Sequence, residues 1–155
     1  CSTPSTATSG RAPFGRWHAD IIDPGRLFAV TAAHLLVAVD ERDGTVAGTA
    51  ALDSRGPAHP PNPAWLAERY PSGETAQLRR VYVRPEYRRQ GLARRLVRAL
   101  LDFAAADGGY RAVYLHTDPG VPGAEPFWRS LGKAVCDERE EPGDGRVLHF
   151  EVPMA

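Results

Sequence analysis

The sequence has little of the chemistry that most readily identifies a binding partner. Only one of its 19 basic residues is a lysine, Lys133, and its two cysteines, Cys1 and Cys136, provide neither a disulfide framework nor the spacing of a metal site. The 19 basic residues balance 19 acidic ones, so no net field favours nucleic acid or an anionic membrane. We therefore expect no metal ion, no nucleic-acid partner and no membrane partner, and any electrostatic recognition must be local.

Long apolar runs are also missing. None approaches the roughly 18 residues that a membrane-spanning helix needs, and so few cysteines are typical of a reducing compartment, which predicts a cytoplasmic location. We assign residues 1–15 to a flexible tail, because CSTPSTATSG is rich in small polar residues, and residues 16–155 to one domain. For Cys1, a processed lipoprotein and a trimmed terminus are both open interpretations, and we expect the trimmed terminus.

Alternation and turn residues predict an α/β domain. Residues 34–53 contain two strand patterns around Asp43-Gly44, which is typical of a hairpin, and no clear strand precedes them. Residues 76–83 and 111–118 form two further strand patterns. Between these two, the apolar residues recur at helical spacing from Leu92 onward, so the strand–helix–strand order predicts a parallel pair.

Three segments complete the predicted order. Residues 54–75 form a long, proline-rich connection with one possible helical turn at PAWLAERY. Residues 123–132, GAEPFWRSLG, predict a short helix that ends at Gly132. The last segment predicts two strands around residues 143–145.

Between Arg79 and Arg98 the sequence contains eight arginines, and Gly91 and Ala93 lie among them. A helix that begins just after these small residues would present free amide groups and its positive dipole end, which bind phosphate. The spacing matches neither of the common nucleotide-binding loops. From the residues alone, a diphosphate-binding turn, a solvated basic helix start and a nucleic-acid patch all stay open, although aromatic residues do not interleave with the arginines as in single-strand binders.

VYVRPEYRRQGLA, residues 81–93, resembles the central motif of the GNAT superfamily of N-acetyltransferases, in which a strand is followed by R/Q-x-x-G-x-G/A and a helix. Arg88, Gly91 and Ala93 occupy the motif positions. AEPFWRSLGK is similar to the second signature of the family, and the resemblance covers residues 34–152. It implies a single α/β domain with a mixed sheet, two central parallel strands that splay apart, flanking helices and an abbreviated N-terminal part.

The resemblance also implies the reaction and the co-substrate. Acetyl-CoA would bind as co-substrate and an amine would attack its thioester directly, with no metal; a homodimer is an open possibility. The backbone of Val81 and Val83 would hold the acetyl and pantetheine groups, and the amides from Arg89 to Arg94 would hold the diphosphate. The implied acetyl-CoA site contains Val81, Tyr82, Val83, Arg88, Arg89, Gln90, Gly91, Leu92, Ala93 and Arg94.

Both usual catalytic positions depart from the family pattern. Gln77 stands where many relatives have a glutamate base, and Trp128 stands where many have a tyrosine acid. Glu74 and His116 are the candidate substitutes, since an imidazole titrates near neutral pH; His149 and Glu151 are weaker candidates.

Gln77 and Trp128, which replace the usual catalytic residues, also bear on the acceptor site and on the function class. Trp65 and Tyr70 in the 54–75 connection, with Gln77 and Trp128, would line the acceptor site; the alternative is that the connection is an ordinary surface loop. The leading hypothesis is an N-acyltransferase that uses acyl-CoA. The alternative is a degenerate member that binds acyl-CoA or a protein partner without turnover.

Overall fold

The computed structural model describes residues 34–154 and, as backbone only, residues 17–22. The described strands are β1 (Trp17–Ile22), β2 (His34–Asp40), β3 (Val46–Asp53), β4 (Thr75–Val83), β5 (Ala112–Thr117), β6 (Lys133–Asp137) and β7 (Leu148–Val152). The described helices are α1 (Ala64–Arg69), α2 (Leu92–Asp107) and α3 (Ala124–Leu131), with a 3₁₀ turn at Pro85–Tyr87. The α/β class and the order of elements from residue 34 onward are therefore confirmed, whereas the predicted tail at residues 1–15 lies outside the described residues.

The chain consists of two compact units, and the residues of β4 belong partly to one unit and partly to the other. The first unit contains residues up to Asp53 together with Arg79–Leu100. Its strand order is β1-β2-β3-β4, and β2 is antiparallel to both β1 and β3. The expectation that no strand precedes residue 34 is wrong, because β1 pairs with β2 along all six of its residues. Its pattern WHADII mixes polar and apolar residues without a clear period, so its pairing with β2 identifies it better than its sequence does.

The second unit contains Ser54–Leu78 and the chain from Leu101. Its strand order is β4-β5-β7-β6, in which β4 and β5 are parallel and β7 is antiparallel to both of its neighbours. The predicted parallel pair is confirmed. Its register covers only three residue pairs, from Thr75–Ala112 to Gln77–Tyr114, so the parallel pairing is confined to the first part of β4.

Helix α2 shows the predicted amphipathic pattern. Leu92, Leu96 and Leu100 are buried, as are Val97, Leu101 and Ala104, whereas its three arginines and Asp102 are exposed. Within the described residues, none of the three helices is both long and apolar enough to cross a membrane.

The connection between β3 and β4 contributes to the core of the second unit. Leu66 on α1 and Tyr70 just after it are almost completely buried, and they form an apolar cluster with Tyr114 and Cys136. Burial raises the pKa of the Cys136 thiol. The connection is therefore more than a surface loop: it buries side chains against β5 and β6 and leaves Trp65 exposed at 44%.

Candidate functional site

The turn between β4 and α2 contains two residues with left-handed backbone angles. Arg89 and Gly91 both have left-handed backbone angles, with φ of 63° and 72°, and α2 begins at the next residue, Leu92. A left-handed φ is unfavourable for arginine and easy for glycine. The left-handed backbone angle of Arg89 is therefore a local strain in the turn that immediately precedes α2.

The backbone amides of this turn precede the first hydrogen bond of the helix. Helical bonding begins with the Arg95 N–H, which donates to the Gly91 carbonyl. Among the described residues, the amides of residues 89–93 donate to no acceptor outside the helix. Successive free N–H groups at the positive end of a 16-residue helix form an anion-binding concavity.

Two side chains hold the turn in place. The Arg88 Nε donates to the Val83 carbonyl at 2.9 Å, which closes the turn onto the end of β4. The Tyr87 hydroxyl donates to Asp40 Oδ2 at 3.1 Å. Asp40 is buried at the end of β2 and also accepts from Arg42 Nη2 at 2.7 Å. Arg88 therefore connects the turn to the end of β4. The buried Asp40 carboxylate holds Tyr87, the residue before Arg88.

Strand β4 contains a residue with a left-handed backbone angle just before Val81. Arg80 has a φ of 52° within the strand, and its carbonyl accepts a hydrogen bond from Thr49 Oγ1 at 2.8 Å. A left-handed residue inside a strand costs on the order of 1 kcal/mol or more, and such strain concentrates at functional sites. Arg80 immediately precedes Val81, and Val81 and Val83 are the positions at which the resemblance implies contact with the acyl group.

The hydrogen bond between Tyr87 and Asp40, which we call the Asp40–Tyr87 anchor, can be tested by substituting Asp40. The free energy of unfolding of the variant should depend on pH in a characteristic way. Hydrogen bonds from Arg42, with a further bond from Tyr87, hold the pKa of the Asp40 carboxyl well below its usual range. A lowered pKa means that the ionised carboxylate stabilises the fold above about pH 4 and that this contribution is lost as the pH falls further. We expect Asp40→Asn to have a lower free energy of unfolding at pH 7, with the deficit shrinking as the pH falls from 5 towards 2.

The measurement is urea unfolding of both proteins across that pH range. Asp102→Asn, on the exposed face of α2, is the matched control and should show no comparable deficit at any pH. A deficit in Asp40→Asn that does not change with pH would contradict the assignment to the ionised carboxylate.

The second unit carries a row of polar side chains on one face of its sheet. Gln77 is in register with Tyr114 on β5, and Tyr114 and His116 are in register with Glu151 and His149 on β7. Paired residues project from the same face of a sheet. The Gln77 amide nitrogen lies 3.4 Å from His116 Nδ1, so the residue that replaces the usual base contacts one of its predicted substitutes.

A second hydrogen-bonded chain crosses this face. His149 is fully buried; its Nδ1 lies 2.6 Å from the Tyr114 hydroxyl, and its Nε2 lies 2.7 Å from Glu138 Oε1. The neutral tautomer with its proton on Nε2 satisfies both contacts, with Tyr114 donating and Glu138 accepting. Glu138 was not among the sequence candidates, because only the return of the chain after β6 brings it to His149.

Glu74 and His116 are not brought together. The Glu74 carboxylate lies 3.1 Å from Arg111 Nε, and its carbonyl accepts from the Arg111 amide, at the beginning of β5. His116 lies five residues further along that strand, which corresponds to roughly 16 Å. The two candidate bases therefore lie at opposite ends of β5.

The aromatic residues predicted to line the acceptor site differ in their exposure to solvent. Tyr70 is in the core, and its hydroxyl donates to Glu151 Oε2 at 2.6 Å. Burial, together with this bond, raises the pKa of Tyr70. Trp128 is 6% exposed and packs edge-on against Phe127. Trp65 alone among these three aromatic residues presents a large exposed surface.

No group of three or more histidine, cysteine, aspartate or glutamate side chains in the described part of the chain is arranged to hold a metal ion. The contact between Asp40 and Tyr87 was not predicted from the sequence. Its only signal in the sequence is an aspartate at the end of a strand, a position that is common in turns.

Comparison with known proteins identifies the family of the motif. Residues 6–132 match the model of the Acetyltransferase (GNAT) family. "Probable N-acetyltransferase san" of Drosophila melanogaster is 29% identical over 85 residues, which cover 48% of this chain and 46% of the fly protein. The chain thus matches less than half of the length of that curated relative.

Solved structures share the fold at low sequence identity. An acetyltransferase of the GNAT family from Staphylococcus aureus aligns with a TM-score of 0.60 and 12% identity, covering 84% of this chain and 74% of that one. The spermidine/spermine N-acetyltransferase SpeG from Vibrio cholerae aligns with a TM-score of 0.56 and 13% identity, covering 91% and 94%. At these identities the likeness concerns the fold.

Proposed function

Because the chain belongs to the Acetyltransferase (GNAT) family and is a single GNAT-like α/β domain with a mixed sheet, we propose that it is an acyl-CoA-dependent N-acyltransferase. Its donor is acetyl-CoA and its acceptor is a primary amine of a small molecule, peptide or protein. The turn at residues 88–93 carries this proposal. Its left-handed Arg89 and Gly91 and its group of amides ahead of α2 suit the diphosphate of coenzyme A.

Coenzyme A is held mainly by backbone groups. The amides from Arg89 to Arg94 take the diphosphate, and the backbone of Val81 and Val83 takes the acetyl carbonyl and the pantetheine arm. Side chains there need only be small or directed elsewhere. The Arg88 Nε is already committed to the Val83 carbonyl, so Arg88 acts by bracing the turn.

The amine must lose a proton to react. An alkylamine with a pKa near 10.4 is neutral in only on the order of one molecule per thousand at pH 7, a penalty of roughly 4–5 kcal/mol. Its nitrogen lone pair forms a bond to the thioester carbon while the proton passes to a base. The C–S bond then breaks, and the electron pair leaves with the coenzyme A sulfur, which takes up a proton.

His116 is the base that the geometry supports best, acting through water. The Gln77 amide contacts its Nδ1, and a 180° rotation of that amide places Oε1 at the same position. Oε1 then accepts the proton of Nδ1, and in this tautomer the basic lone pair lies on Nε2. Gln77 is almost completely buried, so it acts as a positioning residue. Glu74 is the second candidate, in its ion pair with Arg111.

The test is release of thiol from acetyl-CoA over a panel of amines. The panel includes alkylamines, polyamines, amino acids and peptide N-termini; polyamines are included because one structural neighbour is named a spermidine/spermine N-acetyltransferase. Amine-dependent thiol release, with the acetylated amine identified by mass spectrometry, is the expected result. Binding of acetyl-CoA without turnover of any amine would favour the degenerate acyl-CoA-binding alternative instead.

A further inference from the structure

A pocket of about 430 Å³ opens in the second unit between the connection that precedes β4 and the loop that joins β6 to β7. One wall contains His59, Pro61, Asn62, Pro63 and Trp65, and the opposite wall contains Glu138, Glu141, Pro142 and Gly145. The lining contains no lysine or arginine. The pocket therefore combines one indole surface with two acidic side chains, and His59 is the one imidazole in its lining.

Trp65 is exposed because of how α1 packs. Leu66 occupies the buried position of this short helix, and Tyr70 follows in the core. Trp65 is therefore turned outward, 44% exposed, onto the wall of the pocket. The face of an indole ring attracts alkylammonium groups more strongly than any other side-chain ring.

Glu138 is a fixed carboxylate rather than a mobile surface group. Its side chain is 16% exposed and accepts from the fully buried His149 at 2.7 Å. The other carboxylate oxygen, Oε2, accepts from the Val147 amide at 3.4 Å. Glu141 is exposed, and among the described residues no basic side chain forms an ion pair with it.

We propose that this pocket binds a small organic cation, an alkylammonium group that stacks on Trp65 and pairs with Glu138 and Glu141. The size of the pocket suits a small ligand, and its charge excludes carboxylates and phosphates.

Calorimetric titration with 1,5-diaminopentane, in the absence of coenzyme A, tests the pocket directly. We expect the diamine to bind, 1-aminopentane to bind more weakly, and pentan-1-ol not to bind. Glu141→Gln and Trp65→Ala should each weaken diamine binding by about fivefold. Glu140→Gln is the matched control, since Glu140 is an exposed neighbour that does not line the pocket, and it should bind as the unaltered chain does.

Three results would overturn the proposal: no binding of the diamine at millimolar concentration, equal binding of the alcohol, or equal weakening by the Glu141 and Glu140 substitutions. Thiol release from acetyl-CoA, measured separately, distinguishes failure of the pocket proposal from failure of the N-acyltransferase proposal. Thiol release without diamine binding at millimolar concentration would support the N-acyltransferase and contradict the pocket. Diamine binding that depends on Glu141, without thiol release for any amine, would support the pocket and contradict the N-acyltransferase.

Discussion

Replacing Gly91 with glutamate should reduce the affinity for acetyl-CoA by at least about 100-fold, since a like charge placed against the diphosphate costs several kcal/mol. The side chain has room to be accommodated, because no atom lies within 4 Å of a Cβ built on Gly91. It would therefore extend into the space in front of the helix amides rather than disrupt the packing. Calorimetry with acetyl-CoA gives the affinity, and thermal unfolding checks that the variant is folded.

Backbone strain must be separated from charge in this experiment, and the chain offers a matched control. Gly44 in the β2–β3 hairpin also has a left-handed φ, 74° against 72° for Gly91, and also has nothing within 4 Å of a built Cβ. Gly44→Glu therefore carries the same strain, on the order of 1–2 kcal/mol, and the same added charge. We expect the two variants to lose similar stability, and Gly44→Glu to retain its affinity for acetyl-CoA.

An intermediate substitution completes the series. Gly91→Ala has the strain without the charge, so its affinity should lie close to that of the unaltered chain. Unchanged affinity in Gly91→Glu would show that the diphosphate is bound elsewhere. Equal loss of affinity in Gly91→Glu and Gly44→Glu would show that the loss comes from general destabilisation.

His116→Ala should lower kcat/KM at pH 7 by at least about tenfold, because a positioned base typically contributes about 10²–10⁴-fold. The defect should shrink towards pH 9, where a larger fraction of the amine is already neutral. Acetyl-CoA binding should stay normal. The measurement is a pH profile of kcat/KM for the best amine in the panel, and Asp102→Asn, at an exposed position of α2, should leave that profile unchanged.

Glu74→Gln is the parallel experiment for the second candidate. If Glu74 is the base, it should show the same tenfold, pH-dependent loss. Because Glu74 pairs with Arg111, Arg111→Ala separates the two roles: equal, pH-independent losses in both variants would indicate a structural ion pair. Full activity of the His116 and Glu74 variants across the pH range would contradict both assignments and favour an acceptor whose amine has a low pKa.

Local pattern alone was enough to predict most elements from residue 34 onward. The hairpin at 34–53, the apolar stripe of α2 and the short helix near Trp128 depend on neighbours within one or two turns of chain. The turn at Arg89 and Gly91 belongs to the same class, because a small residue before a helical stripe is a local signal. Strand β1 was missed because its sequence has no clear period and its pairing with β2 identifies it.

The grouping of polar side chains on one face of the second unit could not be predicted from local sequence, because it depends on contacts between segments that are distant in the chain. Gln77 meets His116 across 39 positions of sequence, and His149 reaches Tyr114 and Glu138 only because β7 returns beside both β5 and β6. The register of a sheet determines which side chains share a face, and the sequence of one strand does not contain the register of its neighbour. For the same reason the sequence did not show that Glu74 and His116, the two alternative candidates for the base, lie at opposite ends of β5. The residue types were therefore available from the sequence, but their grouping came from strand register and burial.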